Sequence, residues 1–343
     1  MGRIEIAIIF LAISTIFLAI SACTPKEAGL TVDMTARIDT ATANGLLYLD
    51  SAYSSYMYAD EYLQYVYPGE SLACPLETPC NITYRLLDAY FDVYFLEEAM
   101  PGLQGLENQR KDAHAVLLGV AKNWENEKIN NVIRSDAGSG GVALDTYCIV
   151  GYITKNPKMA EIARSYLTED NNWMPSDYFE GDAWRNIADE SWCIRLFIEV
   201  GYDKELTIQL VDKLIADTDN FINDKNITDT DKLSVVYHTL YILSEFEKYD
   251  NRYLEKKRKY SDFINYFSYK NLAGNTLMLA NLLDVMVAAD YDNPAAIEEI
   301  ADKVLLAQES SGYWKISSDF PDNQGQVFTT FRALIGLNNY RNR

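Results

Sequence analysis

The sequence predicts an all-α fold of six outer/inner helix pairs closed into an (α/α)6 toroid. Three observations carry that expectation. Past the first 35 residues, apolar positions recur at helical spacing and no alternating strand run competes with them. Two kinds of helix alternate, one amphipathic and one apolar on nearly every face. The pairs Tyr147-Cys148, Trp192-Cys193 and Tyr237-His238 also follow one another at intervals of 45 residues.

The amphipathic kind is clearest at Ile297, Ile300, Ala301, Val304 and Leu305, with Glu298, Glu299, Asp302 and Lys303 on the opposite side. Leu206, Leu210, Val211 and Leu214 repeat the pattern, as do Met159, Ile162, Ala163 and Tyr166. The apolar kind is represented by 143–153 and 276–289, and a helix without a polar face has to be covered on all sides. Outer helices are expected over 36–66, 108–126, 158–168, 204–223, 251–267 and 294–309. Inner helices are expected over 82–98, 143–155, 187–201, 231–248, 274–289 and 326–340, the last carrying Phe331-Arg332 in the same register. Repeats of this length stack into an open superhelix or close on themselves, and a buried inner layer favours closure because a ring has no end repeat to expose it.

Ahead of the helices lies a leader. Residues 6–22 carry no charge and follow a start bearing Arg3, too short a stretch for a comfortable membrane span and suited to a signal peptide. It ends Ile20-Ser21-Ala22-Cys23, which resembles the lipobox of lipoproteins. The resemblance implies that Cys23 is lipidated and becomes the new N-terminus on cleavage. An ordinary signal peptide or an uncleaved anchor is the alternative. The expected organisation is a signal peptide over 1–22, a tether over 23–35 and the toroid domain over 36–343, lipid-anchored at the extracytoplasmic face of the cell membrane.

Net charge is −20, from 50 acidic against 30 basic residues, and Arg3 and Glu5 cancel within the leader. Such a surface repels phosphate backbones, so nucleic acid is excluded as a partner. Five cysteines are an odd number for an exported chain, and assigning Cys23 to lipid leaves four. Cys74 and Cys80 bracket a proline-stiffened loop and are expected to form a disulfide. Cys148, Cys193 and His238 hold equivalent places on three inner helices. They could be a zinc site, a disulfide beside a core histidine, or buried thiols; helix spacing and an oxidising location weigh against zinc. With only two histidines in the chain a histidine-rich metal site is excluded, and the expected site holds no metal and no cofactor.

Gln308-Glu309-Ser310-Ser311-Gly312-Tyr313-Trp314 is a Gln-x-x-x-Gly-x-Trp motif, followed by Thr329-Thr330 on the next inner helix. It resembles the repeat of squalene and terpenoid cyclases and of protein prenyltransferase β subunits, which are α/α toroids. A degenerate copy spans Tyr166 to Trp173. The resemblance implies the fold over roughly 80–340, with Gln and Trp packing together to tie an outer helix to its turn. It does not imply the activity. The cyclase Asp-x-Asp-Asp run is reduced to Asp229-Thr230-Asp231-Lys232, which reads as helix capping, and Asp145-Thr146-Tyr147-Cys148 has the wrong spacing for the prenyltransferase zinc pair.

The starts of the inner helices gather carboxylates. Asp145 and Glu190 lie 45 residues apart, with Asp189 beside the latter, and these three are the candidate acids and bases. A connection dense in aromatics and acids runs just upstream, through Trp173, Tyr178, Asp182, Trp184 and Arg185. With Trp192, Tyr237 and His238 it forms the candidate ligand-binding set. Aromatic faces beside carboxylates suit sugar rings, so the expected partner is a glycan or other extended ligand in a central cavity. A catalytic version would be a glycoside hydrolase or polysaccharide lyase. The alternatives are a scaffold docking a cell-surface protein, and a toroid binding a lipid or isoprenoid. Each carboxylate also has a structural reading, since an acid at a helix start is stabilised by the helix dipole. Asn81-Ile82-Thr83 and Asn226-Ile227-Thr228 fit the glycosylation sequon, a motif that arises often by chance.

Overall fold

A computed structural model describes residues 32–58, 84–101, 106–126, 144–171, 173, 183–247, 251–267, 272, 274–317 and 326–343. The leader, most of the tether, and Cys74 and Cys80 lie outside them. Twelve α-helices are present among the described residues, and no sheet. They are α1 (Val32–Tyr58), α2 (Tyr84–Ala99), α3 (Glu107–Asn126), α4 (Leu144–Ile153), α5 (Pro157–Arg164) and α6 (Ala183–Val200), followed by α7 (Lys204–Asn223), α8 (Asp229–Phe246), α9 (Leu254–Phe267), α10 (Thr276–Ala288), α11 (Pro294–Leu306) and α12 (Gln326–Arg341). Each falls on one of the twelve predicted segments. Helix α1 begins inside the stretch expected to be tether. Residues 1–37 and 38–343 are separate units, the second holding the rest of α1 and every later helix. Among the described residues no helix is long and apolar enough to cross a membrane.

Capping follows the side chains that can reach an orphan backbone N–H. Asn156 accepts from the amides of Lys158 and Met159 ahead of α5, with Pro157 in the first position. Asp203, Asn275 and Asn293 do the same for α7, α10 and α11. Ahead of α8 the cap is Thr228, which accepts from the Asp231 amide and donates to the Asp231 carboxylate. Asp229 and Asp231 therefore sit in the first turn and are not the caps themselves. Helix α6 starts at Ala183, ahead of the expected 187, so Asp189 lies inside it and not at its start.

The even-numbered helices neighbour one another in chain order, α2 on α4 through to α10 on α12, and α12 also packs against α2. Helices α3, α5, α7 and α11 each touch the even helix before and after them, while α9 packs chiefly on α8. Burial follows this division. On α11 the side chains of Ala296, Ile297, Ile300, Ala301, Val304 and Leu305 are buried and Glu298 and Glu299 are exposed. On α10 and α12, Leu282, Leu283, Val285, Met286, Phe331, Leu334 and Leu337 are wholly enclosed. A disulfide joins Cys148 on α4 to Cys193 on α6, their Cα atoms 4.9 Å apart. That settles the state of these two cysteines, which as bridged sulfurs are not thiolate ligands.

The Gln308–Trp314 segment closes a tight loop between α11 and α12. The two residues are antiparallel bridge partners. Gln308 Nε2 donates to the carbonyls of Ala41 (2.8 Å) and Gly312 (2.9 Å), while the Trp314 indole, fully enclosed, donates to Val304 at 2.7 Å. The Trp314 amide meets Thr330 Oγ1 on α12 at 3.1 Å. Three helices are thus tied at one point. Gly312 has φ +92°, and a Cβ there would stand 2.4 Å from the Asn44 carbonyl oxygen. The degenerate copy keeps the geometry, with Leu167 and Trp173 bridged after α5 as Gln308 and Trp314 are after α11.

Candidate functional site

A charge on a helix buried on all sides has to be paired or put to use. Arg195, in the apolar middle of α6, is such a charge. Its Nε lies 3.0 and 3.1 Å from the two carboxylate oxygens of Glu245 on α8, and its Nη2 lies 2.6 Å from Oε1. Nη2 also donates to the Tyr152 hydroxyl at 3.2 Å, which in turn donates to Glu245 at 3.4 Å. The guanidinium carbon stands 4.5 Å from the Tyr152 ring centre, 4.3 Å from that of Trp192 and 4.4 Å from that of Tyr241. Helices α4, α6 and α8 are pinned together by this one side chain.

Beside it lies a cavity of about 260 Å³, walled by five of the six even-numbered helices. Helix α2 contributes Phe95, Glu98 and Ala99; α6 contributes Ser191, Trp192 and Arg195; α8 contributes Tyr237, His238 and Tyr241. The remaining wall is Asp284 on α10 with Arg332, Ile335 and Asn339 on α12. Asp284 is 3% exposed and accepts from Asn339 Nδ2 at 2.8 Å. Ser191 Oγ and His238 Nδ1 are 3.4 Å apart. Glu98 stands at the rim, exposed.

The electrostatics follow from burial first. Burial raises the proton affinity of Asp284, and the Asn339 hydrogen bond, Arg332 and Arg195 only partly oppose it. His238 is pulled down to about 3 by burial, Arg332 and Arg195, so its imidazole is neutral. Tyr241 is driven well up by the neighbouring Asp284 charge and by burial, and Tyr237 is raised by burial, so both keep their hydroxyl protons. The wall therefore offers neutral donors and acceptors between aromatic faces, with a carboxyl that holds its proton tightly.

Trp192, Tyr237 and His238, expected to bind ligand, do line this cavity. The carboxylates expected to serve as acids and bases lie elsewhere. Glu190 turns away toward α7, where it is buried against Lys213 at 2.7 Å, and Lys213 also holds Asp217 at 2.6 Å. Burial still raises its proton affinity, with Lys213 opposing. Asp145 sits half-buried in the first turn of α4, where its carboxylate accepts from the Thr146 amide and hydroxyl. Burial raises it too, against those two hydrogen bonds. Neither lines the cavity: Asp145 is at the start of α4, while the cavity spans the middle and C-terminal parts of the helices around it, and Glu190, in the middle of α6, points the other way. Trp173 lies in the bridge after α5, with its ring 6.0 Å from Phe197, and is not part of the wall. Tyr178 and Asp182 lie outside the described residues, as do the side chains of Trp184, Arg185 and Asp189.

Arg195, Glu245, Asp284 and Asn339 are not among the site residues the sequence singles out, and Arg332 appears only as a repeat position. The signal for Arg195 and Asp284 was present, a lone charge inside an apolar stretch of helix. Among the described residues no group of three or more histidine, cysteine or acidic side chains is arranged to hold a metal ion. No family model matches the chain, and no curated protein matches its sequence.

Proposed function

We propose that this chain is an (α/α)6 toroid, anchored through Cys23 at the extracytoplasmic face of a membrane, whose central pocket binds one ring of a glycan. The order of helix neighbours, with α12 against both α10 and α2, supports the ring. The lipobox-like Ile20-Ser21-Ala22-Cys23 supports the anchor. The pocket carries the ligand reading: the aromatic residues Trp192, Tyr237, Tyr241 and Phe95 line it beside Asp284, Asn339, Ser191 and His238. Flat apolar faces with hydroxyl-matching polar groups between them are the complement of a pyranose. At about 260 Å³ the space suits a single ring and not an extended chain, small ligand pockets starting near about 300 Å³.

Calorimetric titration of the purified protein with a panel of disaccharides tests this. Trp192→Ala should weaken the best ligand by about tenfold or more, as aromatic anchors do, while Asp145→Asn leaves it unchanged. A panel without a single binder removes the reading. The scaffold alternative draws support from Arg195 itself, which fills part of the axis between the rings. A surface partner captured with equal strength by wild type and Trp192→Ala would favour it.

A further inference from the structure

Building on the glycan reading, we propose that the pocket selects a sugar carrying a free ammonium group, an amino sugar, and holds that group against Asp284 and the aromatic wall. The ionisable groups facing the space are Glu98 from α2, Arg195 from α6, Asp284 from α10 and Arg332 from α12, with Glu245 from α8 clamped on Arg195. Glu245 and Glu98 offset the two guanidiniums, His238 is neutral, and Asp284 is the acid left over, its proton held by burial. The helix ends tilt the balance further. Glu98 and Ala99 close the last turn of α2, while Arg195, Tyr241, Asp284 and Asn339 all lie in the C-terminal halves of their helices. The last turns of α2 and α12 thus border the space through Glu98, Ala99 and Asn339, and that end of a helix favours a cation.

The walls already show how they treat a cation. Arg195 sits over two wall rings, Trp192 and Tyr241, and over Tyr152 behind them, at 4.3 to 4.5 Å, so aromatic residues here accommodate a positive group with its water removed. Asp284 has no such compensation at contact distance among the hydrogen bonds and ion pairs of the described residues. Its one hydrogen bond there comes from a neutral amide. A carboxyl enclosed to 3% exposure and bonded to an amide holds its proton, and an ammonium brought against it relieves that penalty. A hydroxyl in the same place cannot.

The test compares four disaccharides on the full-length protein by calorimetry: the glucosamine dimer, its N-acetylated form, cellobiose and digalacturonate. The glucosamine dimer should bind about tenfold tighter than the others. Asp284→Asn should erase that margin while cellobiose still binds, and Glu98→Gln at the exposed rim should reduce it in part. Should the Asp284 variant not fold, the wild-type ranking decides. Equal binding of cellobiose and the glucosamine dimer overturns the ammonium proposal and leaves the glycan reading standing, as does digalacturonate binding tightest. If none of the four binds, the glycan reading falls and the amino-sugar proposal falls with it.

Discussion

Arg195 and Glu245, fifty residues apart, meet as a fork on a carboxylate with side chains only 8% and 16% exposed. An ion pair this enclosed is costly to break from one side, because the survivor is left charged and dry. Arg195→Ala and Glu245→Ala should each destabilise the protein by about 3–5 kcal/mol. Replacing the pair together with Met and Leu should recover most of that loss. Chemical unfolding of the four forms measures the cycle. Additive losses would mean that the two residues act apart.

Gly312 offers a backbone test of the Gln308–Trp314 loop. Its φ of +92° disfavours any side chain, and a Cβ would collide with the Asn44 carbonyl at 2.4 Å. Gly312→Ala should cost about 2 kcal/mol or more, strain and displacement adding together. Gly201→Ala supplies the control. That glycine has φ +65° with nothing within 4 Å of the added atom, so strain acts alone and its loss should be smaller. Thermal melting of the two variants separates clash from strain.

The Cys148–Cys193 bridge closes a segment of 45 residues between two fully buried sulfurs. Chain-entropy arguments put the stabilisation from a loop of that length at about 4 kcal/mol. The Cys148→Ser/Cys193→Ser variant should unfold at correspondingly lower denaturant. Because both sulfurs are enclosed, the native protein should resist mild reductant that cleaves the bridge once unfolded, a difference that thiol counting reads directly.

Acid should stabilise this protein over part of its range. Asp284, Glu190 and Asp145 all have proton affinities raised above the ordinary carboxylate value, burial being the leading cause in each. The native state then binds more protons than the unfolded chain between the ordinary value and the raised one. Stability from these groups is complete below that window and is lost as pH rises through it. Asp219 acts in the opposite sense. Burial would raise it, but Lys256, Lys259 and Tyr260 hold it low, so its contribution is lost as pH falls. Melting should therefore occur at a higher temperature just above the ordinary carboxylate range than at neutral pH, before declining in stronger acid. Asp284→Asn should flatten the first limb. An unchanged profile would remove Asp284 as a titrating group.

Local pattern made the helices legible. Twelve segments were visible because amphipathic and wholly apolar stretches alternate, and the 45-residue interval placed Cys148 beside Cys193 as one of three open readings. The pocket was less legible. Acidic residues near helix starts drew attention to Asp145, Asp189 and Glu190, yet a helix start is where a carboxylate is stabilised with no ligand at all. Glu190 shows the further difficulty: its neighbour Ser191 lines the cavity, but a step of one residue turns the side chain by about 100° toward Lys213. Contacts such as Asp284 with Asn339, or Arg195 with Glu245, join residues 55 and 50 apart, and no local spacing announces them. A charge stranded in an apolar helix does, and Arg195 and Asp284 are both of that kind.

The amide of Asn338 on the final helix bonds the carbonyl of Ala99, 239 residues earlier. During synthesis, α2 emerges long before its partner exists. Its flank and that of α10 stay wet until α12 has been made, so a nascent chain carries an apolar trench until then. The cavity's last wall is thus added after every other helix that lines it.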